Sequence, residues 1–354
     1  MTHDFYRYRR TNPMKAIGLK TSLPIDHPES LIEFECAQPT PGPHDLLVQV
    51  QAVSVNPVDY KVRQQSAPDT VLESPKILGW DAAGIVAQIG EAVEVFRPGD
   101  AVFYAGDINR AGSNAEYQVV DARIVGRKPR ALSFPEAAAG PLTGLTAWEA
   151  IFDRLAIRPG EGQGKTVLVI GGAGGVGSMA IQLLKQLTTL TVVATASRPA
   201  SSDWCRQLGA DQVVDHRRLI ENLQAGGHAF VDYILNFVST DQYWETMGEV
   251  IAPQGRICSI VPSEKNVNLA LLFQKSVSFS WELMYTRSLF QTEDMIRQHH
   301  ILNELAELYD QGRLKPTMTR VWSGLSAANF REAHAQLESH TTIGKLVVDF
   351  QSGG

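Results

Sequence analysis

Five of the seven residues at 171–177 are glycine, in the order Gly171-Gly172-Ala173-Gly174-Gly175-Val176-Gly177. Gly172, Gly174 and Gly177 hold the G-x-G-x-x-G spacing, and Gly175 and Val176 fill its last gap. An apolar run, Val167-Leu168-Val169-Ile170, precedes them, and the helix-forming stretch MAIQLLKQL follows. In that context the glycines serve a tight turn, close approach of backbone to a pyrophosphate, and close contact of helix with strand. The free N–H groups of the helix start, with their partial positive charge, then receive the anion. The chemistry predicted is capture of a nicotinamide dinucleotide. At the end of the next strand, where an acid would bind a ribose 2′-hydroxyl, the chain has Thr195-Ala196-Ser197-Arg198. Ser197 can donate to a 2′-phosphate, and Arg198 can pair with one through charge-assisted hydrogen bonds. NADPH is therefore the cofactor expected.

Such a turn needs a parallel sheet behind it, and the sequence from Lys165 alternates as one would. KTVLVI and LTVVATA read as buried strands with MAIQLLKQL as the helix between them. WCRQLGA, DQVVD, FVDYILNFV and GRICSIV continue the pattern, and helical sequence dominates 292–311. Strand–helix alternation implies crossover helices on a parallel sheet. The stretch 14–118 differs. MKAIGLK, DLLVQVQAVSV, AAGIVAQIG and DAVFYAG are short β-rich runs broken by turns such as Arg97-Pro98-Gly99, with Pro39, Pro41 and Pro43 stiffening a loop. They predict a compact β-barrel-like unit. The Ala-rich 134–145 reads as helix, and the terminal KLVVDF returns to strand.

Composition narrows the partners. At 354 residues the chain has room for about two domains. Its net charge of −6 argues against nucleic acid or an anionic membrane, since phosphates call for a basic face. No apolar run approaches the ~20 residues of a bilayer span. Three scattered cysteines, Cys36, Cys205 and Cys258, suit a reducing cytoplasm and give no disulfide framework. Residues 1–13 carry Arg7, Arg9 and Arg10 without an apolar core, so they read as a disordered tail and not a signal peptide.

These features, in this order, resemble the medium-chain dehydrogenase/reductase superfamily and its quinone oxidoreductase-like branch. The residues carrying the resemblance are AVSVNPVDYKVR (52–63), LGWDAAGIV (78–86), PLTGLTAWEA (141–150), GGAGGVG and IGKLVVDF (343–350). TASRP…WCRQLGADQVVDH (195–216) resembles a subgroup labelled zinc-type alcohol dehydrogenase-like. The resemblance implies an α/β protein: a GroES-like β-rich catalytic domain, 14–136 with 310–354, and a Rossmann doubly wound parallel-sheet cofactor domain, 137–309. The active site would lie in the cleft between them. A homodimer joined through the cofactor-domain sheets is the family expectation.

The zinc of that label is not expected here. Where zinc alcohol dehydrogenases place a cysteine, the chain has Asn56; their Gly-His-Glu becomes Gly79-Trp80-Asp81, and a later cysteine falls near Ala139. Catalytic zinc needs about three N, S or O ligands converging on one point. Without a Lewis acid, oxidation of a simple alcohol is poorly served, whereas hydride addition to a quinone or an α,β-unsaturated carbonyl needs only hydrogen bonds and a proton. The resemblance makes Asn56, Asp59 and Lys61 the catalytic candidates. Asn56 would face the cleft and donate to the substrate oxygen, or form a turn with Pro57. Asp59 would position a neighbour. Lys61 would stabilise an enolate or hold the nicotinamide ribose, or stand solvated at a strand end. Asp81 reads as a buried structural acid. By the same resemblance Thr143 approaches the nicotinamide, Asn236 and Val261 line the cofactor cleft, and Lys345 reaches toward the phosphates. Trp281, Met284 and Tyr285 either pack, roof the pocket or meet a second subunit. The expected function is zinc-independent NADPH-dependent reduction of quinones or enones. An alcohol or aldehyde dehydrogenase, or an NADPH-binding redox sensor, are the alternatives.

Overall fold

The computed structural model describes residues 12–351. The expected tail thus lies outside the described residues up to residue 11, and Pro13 already opens the strand Pro13–Leu19. That strand pairs with Ile32–Ala37 and Lys76–Ile77 in a small sheet.

The strand Asp45–Val55 organises the β-rich part. One of its edges pairs with Asp81–Ile89; the other is shared between Tyr117–Asp121 at its start and Lys345–Asp349 at its end. Register shifts at 47/48 and 50/52 bend it. Ala101–Tyr104 and Val125–Arg127 extend the sheet on one side and Met318–Ser323 on the other. The chain terminus therefore completes the sheet that the first third begins. Ser54 pairs with Asp81, and Val55 with Leu346. Asn56, Asp81 and Lys345 consequently stand at one end of three adjacent strands.

The second large sheet is wholly parallel. Its strands are Thr166–Ile170, Thr191–Thr195, Gln212–Val214, Val231–Asn236, Ile251–Ser259 and Ser278–Trp281. Counted in chain order they lie 3-2-1-4-5-6 across the sheet, the doubly wound dinucleotide-binding order. Val167 and Val169 face one apolar cluster while Leu168 and Ile170 face another. Both faces are covered, which is why this strand is apolar from Val167 to Ile170 and does not alternate. The first cluster runs through Leu145 and Ala147 of the helix Pro141–Trp148 into the barrel strands, so one core binds the two sheets.

Three elements depart from the sequence reading. Lys61 lies on a helix, Pro57–Gln65, and not at a strand end; Pro57 occupies its first turn, where the missing N–H costs nothing. The Ala-rich stretch splits into Phe134–Ala138 and Pro141–Trp148 at Gly140-Pro141. A helix at Ala327–Glu338, not expected from the sequence, packs beside Pro57–Gln65.

Candidate active site

The strand Thr166–Ile170 ends in the glycine turn, and the helix Gly175–Leu187 begins with Gly174 as its N-cap. A Cβ on Gly177 would lie 2.2 Å from the Gly171 carbonyl oxygen, so close helix–strand contact does require glycine there. The N–H groups of Gly175, Val176 and Gly177 have no acceptor among the described residues. A cradle of unpaired donors fits a pyrophosphate. Gly175 faces the other sheet: a Cβ there would meet Lys345 Cδ at 2.8 Å and Thr143 Cγ2 at 3.0 Å. The cradle therefore rests on the end of the barrel where Asn56, Asp81 and Lys345 gather.

That end is a buried polar cluster. Asn56 Nδ2 donates to Ser54 O and to Asp81 Oδ2, both at 3.1 Å. The Lys345 ammonium donates to Asn56 Oδ1, to Val55 O at 3.3 Å, and pairs with Asp81 Oδ2 at 3.2 Å. Asp81 Oδ1 accepts the Leu142 N–H at 3.1 Å. Asp59 Oδ2 accepts the Asn56 backbone N–H at 2.7 Å, tying the helix start to the cluster. Burial raises the pKa of Asp81 and lowers that of Lys345, each opposed by the other's charge. Asp59, fully enclosed, is pushed up to about 7.

Asp59 Oδ1, the Trp80 indole N–H and the Tyr285 hydroxyl have no partner among the described residues. Tyr285 is buried, and burial first, then the fields of Asp59, Asp81 and Asp107, holds its proton on. Unpaired buried groups are costly, so each of these atoms is a candidate partner for a polar ligand atom. Sequence reading treated Tyr285 as packing, roof or subunit contact; the field on its hydroxyl comes in part from Asp59, more than 200 positions away.

The other candidates stand in several places. Thr143 is buried against the cradle, its hydroxyl near Ala139 O and Gly140 O at 3.3 and 3.4 Å. Asn236 ends the fourth strand of the parallel sheet and donates to Ser259 Oγ at 3.1 Å; Val261 O accepts from Thr240 Oγ1 at 2.6 Å just beyond the fifth. Both therefore sit at the carboxyl ends of strands beside the chain-order switch, where ligands of such sheets bind. Ser197 and Arg198 follow the second strand: Ser197 O receives Arg217 Nη2 at 3.5 Å, and Arg198 Nη2 donates to Thr341 O at 2.7 Å. Lys61 is exposed and apart from the cluster. The ammonium of Lys345 points into the cluster and not toward the cradle, across which only its stem passes.

Sequence reading also missed a second charged cluster. The helix Pro141–Trp148 continues into a π-turn, Glu149–Arg154. Glu149 pairs with Arg287 at 2.6 Å, and Glu282 pairs with Arg154 at 2.7 Å. Arg287 also reaches Asp153 and Asp294 at 3.0 and 2.9 Å. Burial and mutual repulsion push the Glu149 carboxyl up, and burial does the same to Glu282.

The donor set does not fit zinc. Asn56 has its amide engaged, Trp80 is buried indole, Ala139 has no ligand atom, and the place beside Asp81 is held by an ammonium. Among the described residues no group of three His, Cys, Asp or Glu side chains is arranged to hold a metal ion. No helix among them is long and apolar enough to cross a membrane.

Residues 42–130 match the family described as alcohol dehydrogenase GroES-like domain, and residues 208–348 that described as zinc-binding dehydrogenase. A zinc-type alcohol dehydrogenase-like protein of Staphylococcus aureus is 43% identical over 95% of this chain and all of that protein. The structure of a putative zinc-dependent alcohol dehydrogenase protein from Rhizobium etli is 47% identical, with a TM-score of 0.90 over 96% of this chain and 98% of that one. The Escherichia coli quinone oxidoreductase complexed with NADPH is 25% identical, with a TM-score of 0.78 over 95% and 99%. The chain is thus an oxidoreductase of the medium-chain dehydrogenase/reductase superfamily, among its zinc-type alcohol dehydrogenase-like proteins.

Proposed function

We propose that this protein uses NADPH to reduce quinones or α,β-unsaturated carbonyls without a metal. The observation that carries the reading is the contact of Gly175 with Lys345 and Thr143, which seats the dinucleotide cradle on a buried cluster whose cation is an ammonium. In this reading 137–309 binds the cofactor, and 14–136 with 310–354 supplies the catalytic groups. Gly172, Gly174, Gly175, Val176 and Gly177 hold the pyrophosphate, Ser197 and Arg198 the 2′-phosphate, and Thr143, Asn236 and Val261 the nicotinamide side. Bound there, the reduced nicotinamide supplies the hydride.

The residues around it receive the substrate oxygen, which gains negative charge as hydride arrives. Asn56 has both amide hydrogens committed to Ser54 and Asp81, so it positions and does not donate to substrate. Lys345 likewise has three acceptors of its own. The donors left open include the Tyr285 hydroxyl and the protonated form of Asp59; Lys61 is exposed and contributes none within the cluster. A carboxyl with a pKa of about 7 is about half protonated at neutral pH, and in that form it offers the oxygen a hydrogen bond. The E. coli neighbour's complex with NADPH supports the cofactor assignment, and the missing zinc ligands support an activated C=C or quinone over a simple alcohol.

The alcohol dehydrogenase reading draws on that same Asp59, which in its ionised form could take an alcohol proton. Among the described residues the strand Ser278–Trp281 is paired on one edge only, with Trp281, Leu283 and Phe290 about half-exposed or more around it. A homodimer closed along that edge accounts for them.

NADPH consumption by the purified protein with quinones, enones and aldehydes, and NADP+ reduction with alcohols, each with and without chelator, test the proposal. Turnover of quinones or enones that survives chelation is expected. Activity on aldehydes or alcohols alone, or its loss on chelation, overturns it.

A further inference from the structure

Residues 339–344 run from the helix Ala327–Glu338 to the strand Lys345–Asp349 and cross the cofactor turn on the way. Near Lys345 the segment is held by backbone: Gly344 N–H donates to Ala173 O at 2.9 Å, and Lys345 N–H to Thr317 O at 2.8 Å. Thr319 Oγ1 adds a bond to Ile343 O at 2.6 Å. Gly344 also lies against Trp204, whose Cζ2 would be 3.3 Å from a Cβ there. At its other end the segment turns through His340, a left-handed residue with φ 55° that a side chain makes unfavourable. The next carbonyl, Thr341 O, is gripped by Arg198 Nη2 at 2.7 Å. Arg198 is exposed, and its Nε and Nη1 have no acceptor among the described residues. A guanidinium is a planar fork of five donors, so one edge can hold this carbonyl while the other binds an anion.

We propose that Arg198 is a positioning residue that latches the 339–344 segment, so that a 2′-phosphate bound by its free edge tightens the path leading to Lys345. The latch is a property of the cofactor-free chain; the coupling to phosphate rests on the NADPH reading above. Thr341 precedes Lys345 by only four residues, with Gly344 fixed to the glycine turn between them. Phosphate recognition then acts on the Asn56–Asp81–Lys345 cluster and not on cofactor affinity alone.

Hydrogen–deuterium exchange of the full chain tests this, comparing wild type, Arg198→Ala and Arg198→Lys, each alone and with 2′-AMP or 5′-AMP. Calorimetry on the same samples measures binding. In the free protein, Arg198→Ala is expected to exchange the 339–345 amides about tenfold faster, with Arg198→Lys recovering part of the protection. Equal exchange in wild type and Arg198→Ala overturns the latch, and so does a rise spread evenly over the chain. In wild type, 2′-AMP is expected to slow the segment while 5′-AMP does not, and Arg198→Ala abolishes the response. If 2′-AMP binds more tightly than 5′-AMP yet leaves the segment unchanged, the coupling is overturned and the NADPH reading stands. If it binds no more tightly, the NADPH reading falls and takes the coupling with it, while the latch is judged by the free protein.

Discussion

The protein buries two acid-rich charged clusters, and they differ in how many ion pairs tie them together. At the cleft, Lys345 is the cation acting on both Asp81 and Asp59, and one oxygen of Asp59 is left without a partner. Behind the parallel sheet, Glu149 and Glu282 face Arg154 and Arg287, which draw in Asp153 and Asp294 as well. The first cluster sets one cation against two acids, and the second sets two against four; both leave buried atoms without a hydrogen-bond partner, but the second is cross-linked from several elements. Burying charge is unfavourable in both places. In the second, multiple ion pairs offset it and fix the π-turn to the edge strand. In the first, a single ammonium does so beside the cofactor cradle, as expected where protonation has work to do.

The largest expected effect breaks the first cluster. Lys345→Met leaves Asp81 buried and uncompensated, which costs about 3–5 kcal/mol in typical buried pairs. Urea unfolding should register that loss, and hydride transfer by the folded fraction should fall at least about 100-fold, roughly 2.7 kcal/mol. Adding Asp81→Asn should recover most of the stability and none of the turnover. Arg287→Met is the matching break in the second cluster: a comparable loss of stability, with turnover per folded molecule retained. If Arg287→Met also removes turnover, or the double variant restores it, the division between a working and a scaffolding cluster is wrong.

The sequence carried this division unevenly. The glycine turn was legible because its function needs a local pattern, strand, glycines and helix within some twenty residues. Asp45–Val55 was legible because it alternates. The clusters were not, since Asn56, Asp81 and Lys345 meet only through strand pairing across nearly 300 residues. Glu149 and Glu282 are similarly joined by tertiary packing alone. Helix Pro57–Gln65 was missed because its polar residues show no apolar stripe, although Asn56-Pro57 with Asp59 in the first turn is a helix-start signal. That signal moves Lys61 from a strand end to a helix surface. It also turns the Asn56 amide away from substrate, because the cluster uses both its hydrogens.

A smaller effect sharpens the second cluster. The Glu149 pKa is raised, so the folded protein binds protons there that the unfolded chain has released. In that window stability falls as pH rises above the ordinary glutamate value, and the contribution is fully present below it. Glu149→Gln keeps a neutral group in place at every pH. Its Tm should match wild type near pH 5 and exceed it toward pH 9, by a few degrees. Parallel Tm curves across that range would mean the Glu149–Glu282 pair does not share a proton.

The smallest effect concerns Asp59 and is read in kinetics. With a pKa of about 7 from burial, Asp59 is protonated below neutrality and ionised above it. If the protonated carboxyl donates to the substrate oxygen, kcat/KM for enone reduction holds at acid pH and falls about tenfold per pH unit above 7. An asparagine in its place can still accept the Asn56 N–H and offers an amide donor that does not titrate. Asp59→Asn should therefore flatten the profile through neutrality while shifting its acid plateau only a few-fold. Were ionised Asp59 instead the base of an alcohol oxidation, the wild-type profile would rise through pH 7, and the asparagine variant would be inactive on both sides. One pair of pH profiles thus assigns the direction in which the unpaired Asp59 carboxyl works.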